Sequence, residues 1–154
     1  MYKIEYRSGQ KGLGKKCESV LRTLPEWFGR ENSLQEYVRE IDELDTYTAW
    51  HCKELVGFFA INHHFKHSVE IHVLGIKAGF HRQGIGRHLY QKLETESKER
   101  GVCFIQVKTL SPKAKDKNYD KTLSYYLKMG FTPLEDFPEL WGSDTPCLQL
   151  IKSI

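Results

Sequence analysis

The chain has 154 residues, 40% of them hydrophobic and 12% aromatic, which suits one folded domain and excludes a disordered chain. Lys and Arg number 23 against 20 Asp and Glu, and a formal charge of +3 is too small to argue for nucleic acid. The opening "MYKIEYRSG" has no apolar leader region and no run reaches membrane-spanning length, so neither a membrane nor a secretory route is expected.

In chain order, "YKIEY" alternates as a short strand. Leu13, Cys17, Val20, Leu21 and Leu24 recur at helical spacing, and Pro25 helps to stop that segment. A second helix is predicted from Ser33 to Leu44, with Leu34, Tyr37, Val38, Ile41 and Leu44 on one face. "TYTAWHC" and "ELVGFFAIN" read as a hairpin across Lys53, and "SVEIHVLGI" as a third strand-like run. Beyond "GFHRQGIGRHL", Ile85, Leu89 and Leu93 repeat every four residues in the clearest helix of the chain, and Gly101 is placed to end it. "VCFIQVKTL" is a β-branched and aromatic strand, predicted to be central. A helix from Asp120 to Met129 stops at Gly130, and "PCLQLIKSI" closes as a strand. This is an α/β pattern, with a β–α–β unit around the glycine motif and a mixed sheet.

The four cysteines, Cys17, Cys52, Cys103 and Cys147, follow no zinc spacing and read as free, buried thiols of a reducing cytoplasm. His63, His64 and His67 lie close together, but neighbours on an extended chain face opposite ways. A solvated loop between two strands is expected there, with no metal.

The segment "GFHRQGIGRHL" runs from a strand through a turn into an amphipathic helix. The first-turn N–H groups of such a helix lack intrahelical partners and carry partial positive charge. Gly84 and Gly86 remove side chains that would hold a phosphate away, and Gln83 and Arg87 can add donors from the sides. That is an anion cradle of the kind used for pyrophosphates. A Walker loop would need Lys-Ser/Thr after Gly84, where the chain has Ile85-Gly86. A dinucleotide fingerprint would want a small residue at Leu89. A bare Gly-x-Gly can equally be a turn that lets a helix pack on a sheet.

The neighbouring residues resemble motif A of the GNAT (GCN5-related N-acetyltransferase) superfamily, Arg/Gln-x-x-Gly-x-Gly/Ala. Here it runs from His81 through Gly84-Ile85-Gly86, with histidine at the first position. "SYYLKMGF", Ser124 to Phe131, resembles the late Tyr-x-x-x-Gly-Phe of the same superfamily. The resemblance extends from about Thr46 to the C-terminus, and Lys11 to Leu44 fits the variable first two helices. "LPEWFG", "EIHVLGI" and "LWGSDTPC" are also similar to a bacterial subgroup of poorly assigned substrate, sometimes labelled aminoglycoside acetyltransferases. Fold does not fix substrate.

The resemblance implies a GNAT fold over residues 1–154 as a single domain: a mixed, mostly antiparallel sheet of six to seven strands flanked by about four helices. It implies acetyl-CoA as donor. The backbone of Leu74, Gly75 and Ile76 would pair with the pantetheine arm, and Gln83, Gly84, Ile85, Gly86, Arg87 and His88 would hold the pyrophosphate. Tyr119 stands where the family often has an asparagine that touches the cofactor. Glu70 matches the strand glutamate that serves histone-type members as base, directly or through water, and His72 on the same face is its rival. Tyr126 matches the tyrosine that protonates the leaving thiolate and also borders the cofactor.

An acceptor ammonium of about pKa 10.4, if lysine-like, must lose a proton before it attacks the thioester. From Glu26 to Asp45 the chain carries seven acids, including Glu36, Glu40 and Glu43, against Arg30 and Arg39. The resemblance puts the first two helices and their connection beside the acceptor, so with Trp27, Phe28 and Trp141 as flat walls it implies a cationic amine acceptor, either a small molecule or a peptide. Glu36, Glu40 and Glu43 also read as the solvated face of an amphipathic helix. The expected activity is acetyl transfer to a primary amine by direct attack. The alternative is a non-enzymatic acetyl-CoA sensor or interaction module on the same fold. The sequence is compatible with a homodimer.

Overall fold

The structure is a computed structural model and describes residues 2–154. In chain order its elements are β1 (Glu5–Gln10), α1 (Gly14–Leu21), α2 (Glu31–Glu43), β2 (Asp45–His51), β3 (Glu54–Phe65), β4 (Ser68–Ile76), α3 (Ile85–Glu99), β5 (Phe104–Leu110), α4 (Lys117–Lys128), β6 (Thr132–Phe137) and β7 (Cys147–Ser153). A single 3-10 turn, Pro112–Ala114, precedes α4. The strands form one seven-stranded sheet in the order β1-β2-β3-β4-β5-β7-β6. The chain divides into two compact units, Met1–Asn62 with His72–Arg100 and His63–Ile71 with Gly101–Ile154, and β3 and β4 each run across the division.

In the first unit β1 pairs antiparallel with β2, and β2 with β3. The β2–β3 turn is made by Cys52 and Lys53, both at positive φ (48° and 70°), which matches the right-handed twist of the flanking strands. Helices α1 and α2 lay Cys17, Val20, Leu21, Leu34 and Ile41 onto Phe58, Ala60 and Val73. Each fully buried aliphatic side chain there contributes about 1.5–3 kcal/mol relative to an exposed one. Asp42 ties the two helices together: its Oδ1 accepts the Gly14 N–H at 2.8 Å, and its carbonyl accepts the Gly12 N–H at 3.0 Å. Ile85, Leu89 and Leu93 of α3 are fully buried, as their spacing predicts, and Gly101 follows the helix in the left-handed region.

In the second unit Ser68–Ile71 of β4 run parallel to Phe104–Val107 of β5. β5 pairs antiparallel with β7, and β7 with β6. Ile105, Val107 and Leu150 have no exposed surface. Asp116 caps α4, its Oδ1 accepting the N–H groups of Asn118 and Tyr119 at 2.9 and 3.2 Å, an arrangement that stabilises a helix by about 1 kcal/mol.

Several expectations are corrected. The first strand runs over Glu5–Gln10 rather than "YKIEY", because its pairing with Thr46 to Trp50 decides its limits, not its own alternation. The fourth helix begins at Lys117 rather than Asp120, since Asp116 supplies the cap. β6 was not expected: it contains Pro133, which suits only an edge strand, and an edge is where β6 lies. All four cysteines are free, but only Cys17 and Cys147 are buried, whereas Cys52 sits in a turn and Cys103 is exposed. His63 and His64 belong to β3, and of the three histidines only His67 lies in the two-residue turn before β4.

Candidate active site

Residues 77–84 carry the chain from β4 into α3. The Lys77 N–H donates to the Val56 carbonyl at 2.8 Å and the Ala78 N–H to Thr23 Oγ1 at 3.0 Å. His81, at the first position of the motif, turns its Nε2 onto the Ile76 carbonyl at 2.7 Å and so fastens the turn to the end of the strand. Gly84 is the N-cap of α3 with φ 77° and ψ 11°. A Cβ there would have room, its nearest neighbour being His88 Nδ1 at 3.7 Å, so the left-handed backbone is what selects glycine. Among the described residues no side chain caps the helix. Its positive end lies beside half-buried Gln83 and exposed Arg87, and that combination fits a pyrophosphate.

The side chain of His88 is engaged elsewhere. Its Nδ1 meets the Gly84 carbonyl at 2.8 Å and its ring stacks on Tyr6 with centroids 5.2 Å apart. Ile85 is 1% exposed and anchors the first turn. Gly57 on β3 makes its seat: a Cβ at Gly57 would lie 2.9 Å from Ile76 Cδ1 and 3.0 Å from Ile85 Cγ2.

Leu74, Gly75 and Ile76 lie past the last residue pair of the β4–β5 register, Ile71 with Val107. A Cβ at Gly75 would touch Leu24, Phe58 and Val20, each at 3.4 Å, so that side of the strand is closed by core. What these residues have for an extended ligand is backbone, and the Ile76 carbonyl already accepts from His81.

Glu70 is buried, with its side chain 7% exposed. Its Oε1 lies 2.6 Å from His64 Nε2 and its Oε2 accepts from Lys108 Nζ at 3.0 Å. It is not a rim carboxylate. The strand places the acid, and β3 and β5 each supply one nitrogen. His72 has a carboxylate of its own. Its Nε2 lies 2.6 Å from Glu40 Oε2, a close contact off the line of a hydrogen bond, and its ring meets Tyr37 edge-on at 5.8 Å.

That contact and others draw down the acidic surplus expected from residues 26–45. Glu31 binds Arg22 at 2.7 Å, and Arg22 and Gln35 together hold its carboxyl down at a pKa of about 2. Glu40 faces His72 and Asp42 caps Gly14, which leaves Glu26, Glu36 and Glu43 exposed. Trp27 and Phe28 are half-buried against the helical core, and Trp141 is 44% exposed on the segment between β6 and β7.

Tyr126 is 6% exposed and packs edge-on against Tyr125 and Phe131, with centroids 5.6 and 5.8 Å away. Burial raises the Tyr125 hydroxyl well above its usual range. Tyr119 stands in the first turn of α4, with its N–H on the Asp116 cap. Among the described residues no three His, Cys, Asp or Glu side chains gather as a metal site, and no helix is long and apolar enough to cross a membrane. Two open hollows of about 280 and 340 Å³ surround Trp50 and are lined by Lys16 and Lys53, the larger also by Arg7. The smaller is also lined by Glu54, and neither includes Glu70, Tyr126 or a residue of the glycine motif.

A family model described as the acetyltransferase (GNAT) family matches residues 12–131. The chain belongs to the GNAT family. It is an acetyltransferase, and acetyl-CoA is its family's co-substrate. Among curated sequences nothing matches this GNAT chain. Among solved structures it is similar to a GNAT-family protein from Desulfovibrio desulfuricans, at 10% identity and TM-score 0.83, covering 98% of this chain and 99% of that one. It is similar to the aminoglycoside 6'-N-acetyltransferase from Enterococcus faecium at 24% identity and TM-score 0.71, covering 97% and 96%. It also resembles a GNAT acetyltransferase from Elizabethkingia anophelis with acetyl-CoA bound, at 17% identity and TM-score 0.70, covering 98% of both. The seven-stranded, mostly antiparallel sheet with four helices is the architecture these proteins share.

Two neighbours of Glu70 escaped the sequence reading of this GNAT chain. His64 was placed in a loop, and Lys108 carried no signal at all beyond a polar position in a central strand. The alternation of β5 puts Gln106 and Lys108 on one face, which in hindsight marks a buried strand with a lysine turned toward something acidic.

Proposed function

We propose that this GNAT protein moves the acetyl group of acetyl-CoA to a primary amine by direct attack, with residues 1–154 acting as one catalytic domain. The observation that carries this reading is Glu70, a buried carboxylate held at 2.6 and 3.0 Å by His64 and Lys108 on the strand that leads into the glycine motif. An amine acceptor has to lose a proton before it is a nucleophile, and a fixed acid–base group is what that step needs.

The first turn of α3, from Gln83 to Arg87, binds the pyrophosphate through backbone N–H groups with Gln83 and Arg87 at its sides, whereas the His88 N–H is taken by the Gly84 carbonyl at 3.0 Å. Support comes from the left-handed Gly84 cap and the absence of a side-chain cap. The backbone of Leu74 and Gly75, with the N–H side of Ile76, pairs with the pantetheine arm. Tyr119 lies along the cofactor, and Tyr126 gives its hydroxyl proton to the departing sulfur. Glu70 is the carboxylate on which deprotonation of the acceptor rests. The acceptor carries extra positive charge, drawn by exposed Glu26, Glu36 and Glu43. Two exposed free thiols fit the cytoplasm as the working compartment.

The test is steady-state release of the CoA thiol with spermidine, kanamycin and a lysine-containing tetrapeptide, against neutral and acidic amines. Turnover with cationic amines, and kcat/KM falling as salt rises, is the expected result. No thiol release with any amine would overturn the reading. Preference for an acidic amine, insensitive to salt, would overturn the cationic acceptor alone.

A further inference from the structure

Both oxygens of Glu70 are occupied. Oε1 meets His64 Nε2 and Oε2 meets Lys108 Nζ, and the side chain is 7% exposed. To take a proton from an ammonium directly, this carboxylate would have to give up one of its two partners in a buried setting, where an orphaned charge is costly. His64 is placed differently. Its side chain is 34% exposed, and one ring nitrogen is committed to Glu70. With Nε2–H donating to Oε1, a neutral imidazole carries its lone pair on Nδ1.

Resting on the amine-acetylation reading above, we propose that His64 is the proton acceptor of the reaction and that Glu70 is a positioning residue that fixes the His64 tautomer, with Lys108 holding the other carboxylate oxygen. The acceptor ammonium gives one proton to His64 Nδ1, and the imidazolium formed is stabilised by the Glu70 carboxylate. The freed nitrogen lone pair bonds to the thioester carbonyl carbon, the C–S bond breaks, and sulfur leaves with the bonding pair. Sulfur takes a proton from the Tyr126 hydroxyl, and the second proton lost by nitrogen restores that hydroxyl. Amide, CoA thiol and one proton result, and the proton reaches water through the exposed His64.

Beside Glu70 lie Lys108 on β5 and the Cys147 thiol on β7, which also feels Asp136 on β6. Burial is the main cause that raises Cys147, with Lys108 opposing and Glu70 and Asp136 adding. Lys113 pairs with Asp136 at 3.2 Å, which ties that carboxylate to its own partner.

The experiment compares wild type, His64→Ala, Glu70→Gln and Glu70→Asp with the best amine of the panel, together with long-range ¹⁵N–¹H spectra of the His64 ring. His64→Ala should lose about a hundredfold in kcat/KM near neutral pH, less at high pH, with acetyl-CoA affinity unchanged. Added imidazole should recover part of that loss. The wild-type spectrum should show the Nε2–H tautomer, and Glu70→Gln should mix the tautomers while costing less activity than His64→Ala. Glu70→Asp should keep the tautomer and most of the rate. A His64→Ala enzyme within twofold of wild type, or a wild-type ring protonated on Nδ1, would overturn the role of His64 and leave amine acetylation standing. A wild type that turns over no amine would overturn both.

Discussion

Gly57 and Ile85 approach so closely that a methyl group on the glycine would lie 3.0 Å from Ile85 Cγ2. The contact sets where the first turn of α3 meets the sheet, and with it the height of the motif backbone above β3. Gly57→Val should therefore lift that turn. Stability should fall by about 1–3 kcal/mol through overpacking, and acetyl-CoA affinity should fall further than under Gly57→Ala. Urea unfolding and calorimetry on the two variants check it. Unaltered affinity in a folded Gly57→Val protein would show that the seat of Ile85 does not govern the motif.

Gly84 poses a different problem, since there the backbone angle and not space is restrictive. Gly84→Val should raise the Kd for acetyl-CoA at least about tenfold, some 1.4 kcal/mol. Gly84→Asn should cost only a few-fold, because asparagine visits the left-handed region more readily. Equal losses would mean that the side chain blocks the ligand and the angle is irrelevant. Gly86→Val should weaken acetyl-CoA binding in the same direction.

Tyr126→Phe keeps the packing on Tyr125 and Phe131 and removes one hydroxyl. The kcat should drop about ten- to a thousandfold with acetyl-CoA affinity nearly unchanged. Tyr125→Phe is the comparison, and a drop of the same size there would remove Tyr126 from its role.

The thiols give a test by pH. The Cys147 thiol is pushed up to about 11, chiefly by burial, from an ordinary 9.0. Its raised value means that the folded state prefers the neutral thiol. That contribution is complete below 9.0 and is lost as pH rises through about 11. The urea midpoint should accordingly fall over that alkaline window. At pH 8 a disulfide reagent should modify exposed Cys52 and Cys103 rapidly, and Cys17 and Cys147 only on unfolding. Four equally fast thiols would contradict the burial.

Much of this was legible in the residues. Ile85, Leu89 and Leu93 announced α3 by spacing, and the glycines around Gly84 announced the turn between β4 and that helix. The helix before Gly130-Phe131, with Tyr126 in it, was legible too. What lay hidden was set by partners far along the chain. Nothing local to His64 says that the residue six places on will face it across a two-residue turn, and nothing local to Lys108 names Glu70. The surplus of acids from Glu26 to Asp45 looked like a field for a substrate, yet Arg22, His72 and the Gly14 N–H claim three of them. A count of charges holds no information on which ones are already spoken for. Pro133 argues against a strand in the middle of a sheet, and the strand order puts β6 at the edge instead.

Pro133 has a consequence for how copies of the chain meet. An exposed edge strand is a template on which another chain can add its own strand, and that is a common route to aggregation. β6 offers no N–H at Pro133, its pairing with β7 shifts register between Pro133 and Glu135, and exposed Glu135 puts negative charge beside the break. An incoming strand would lose a hydrogen bond, meet a kink and face like charge if it were acidic. The rim of the sheet at β6 is thus a poor docking edge, and a crowded solution of this protein is protected there against chains that join sheet to sheet.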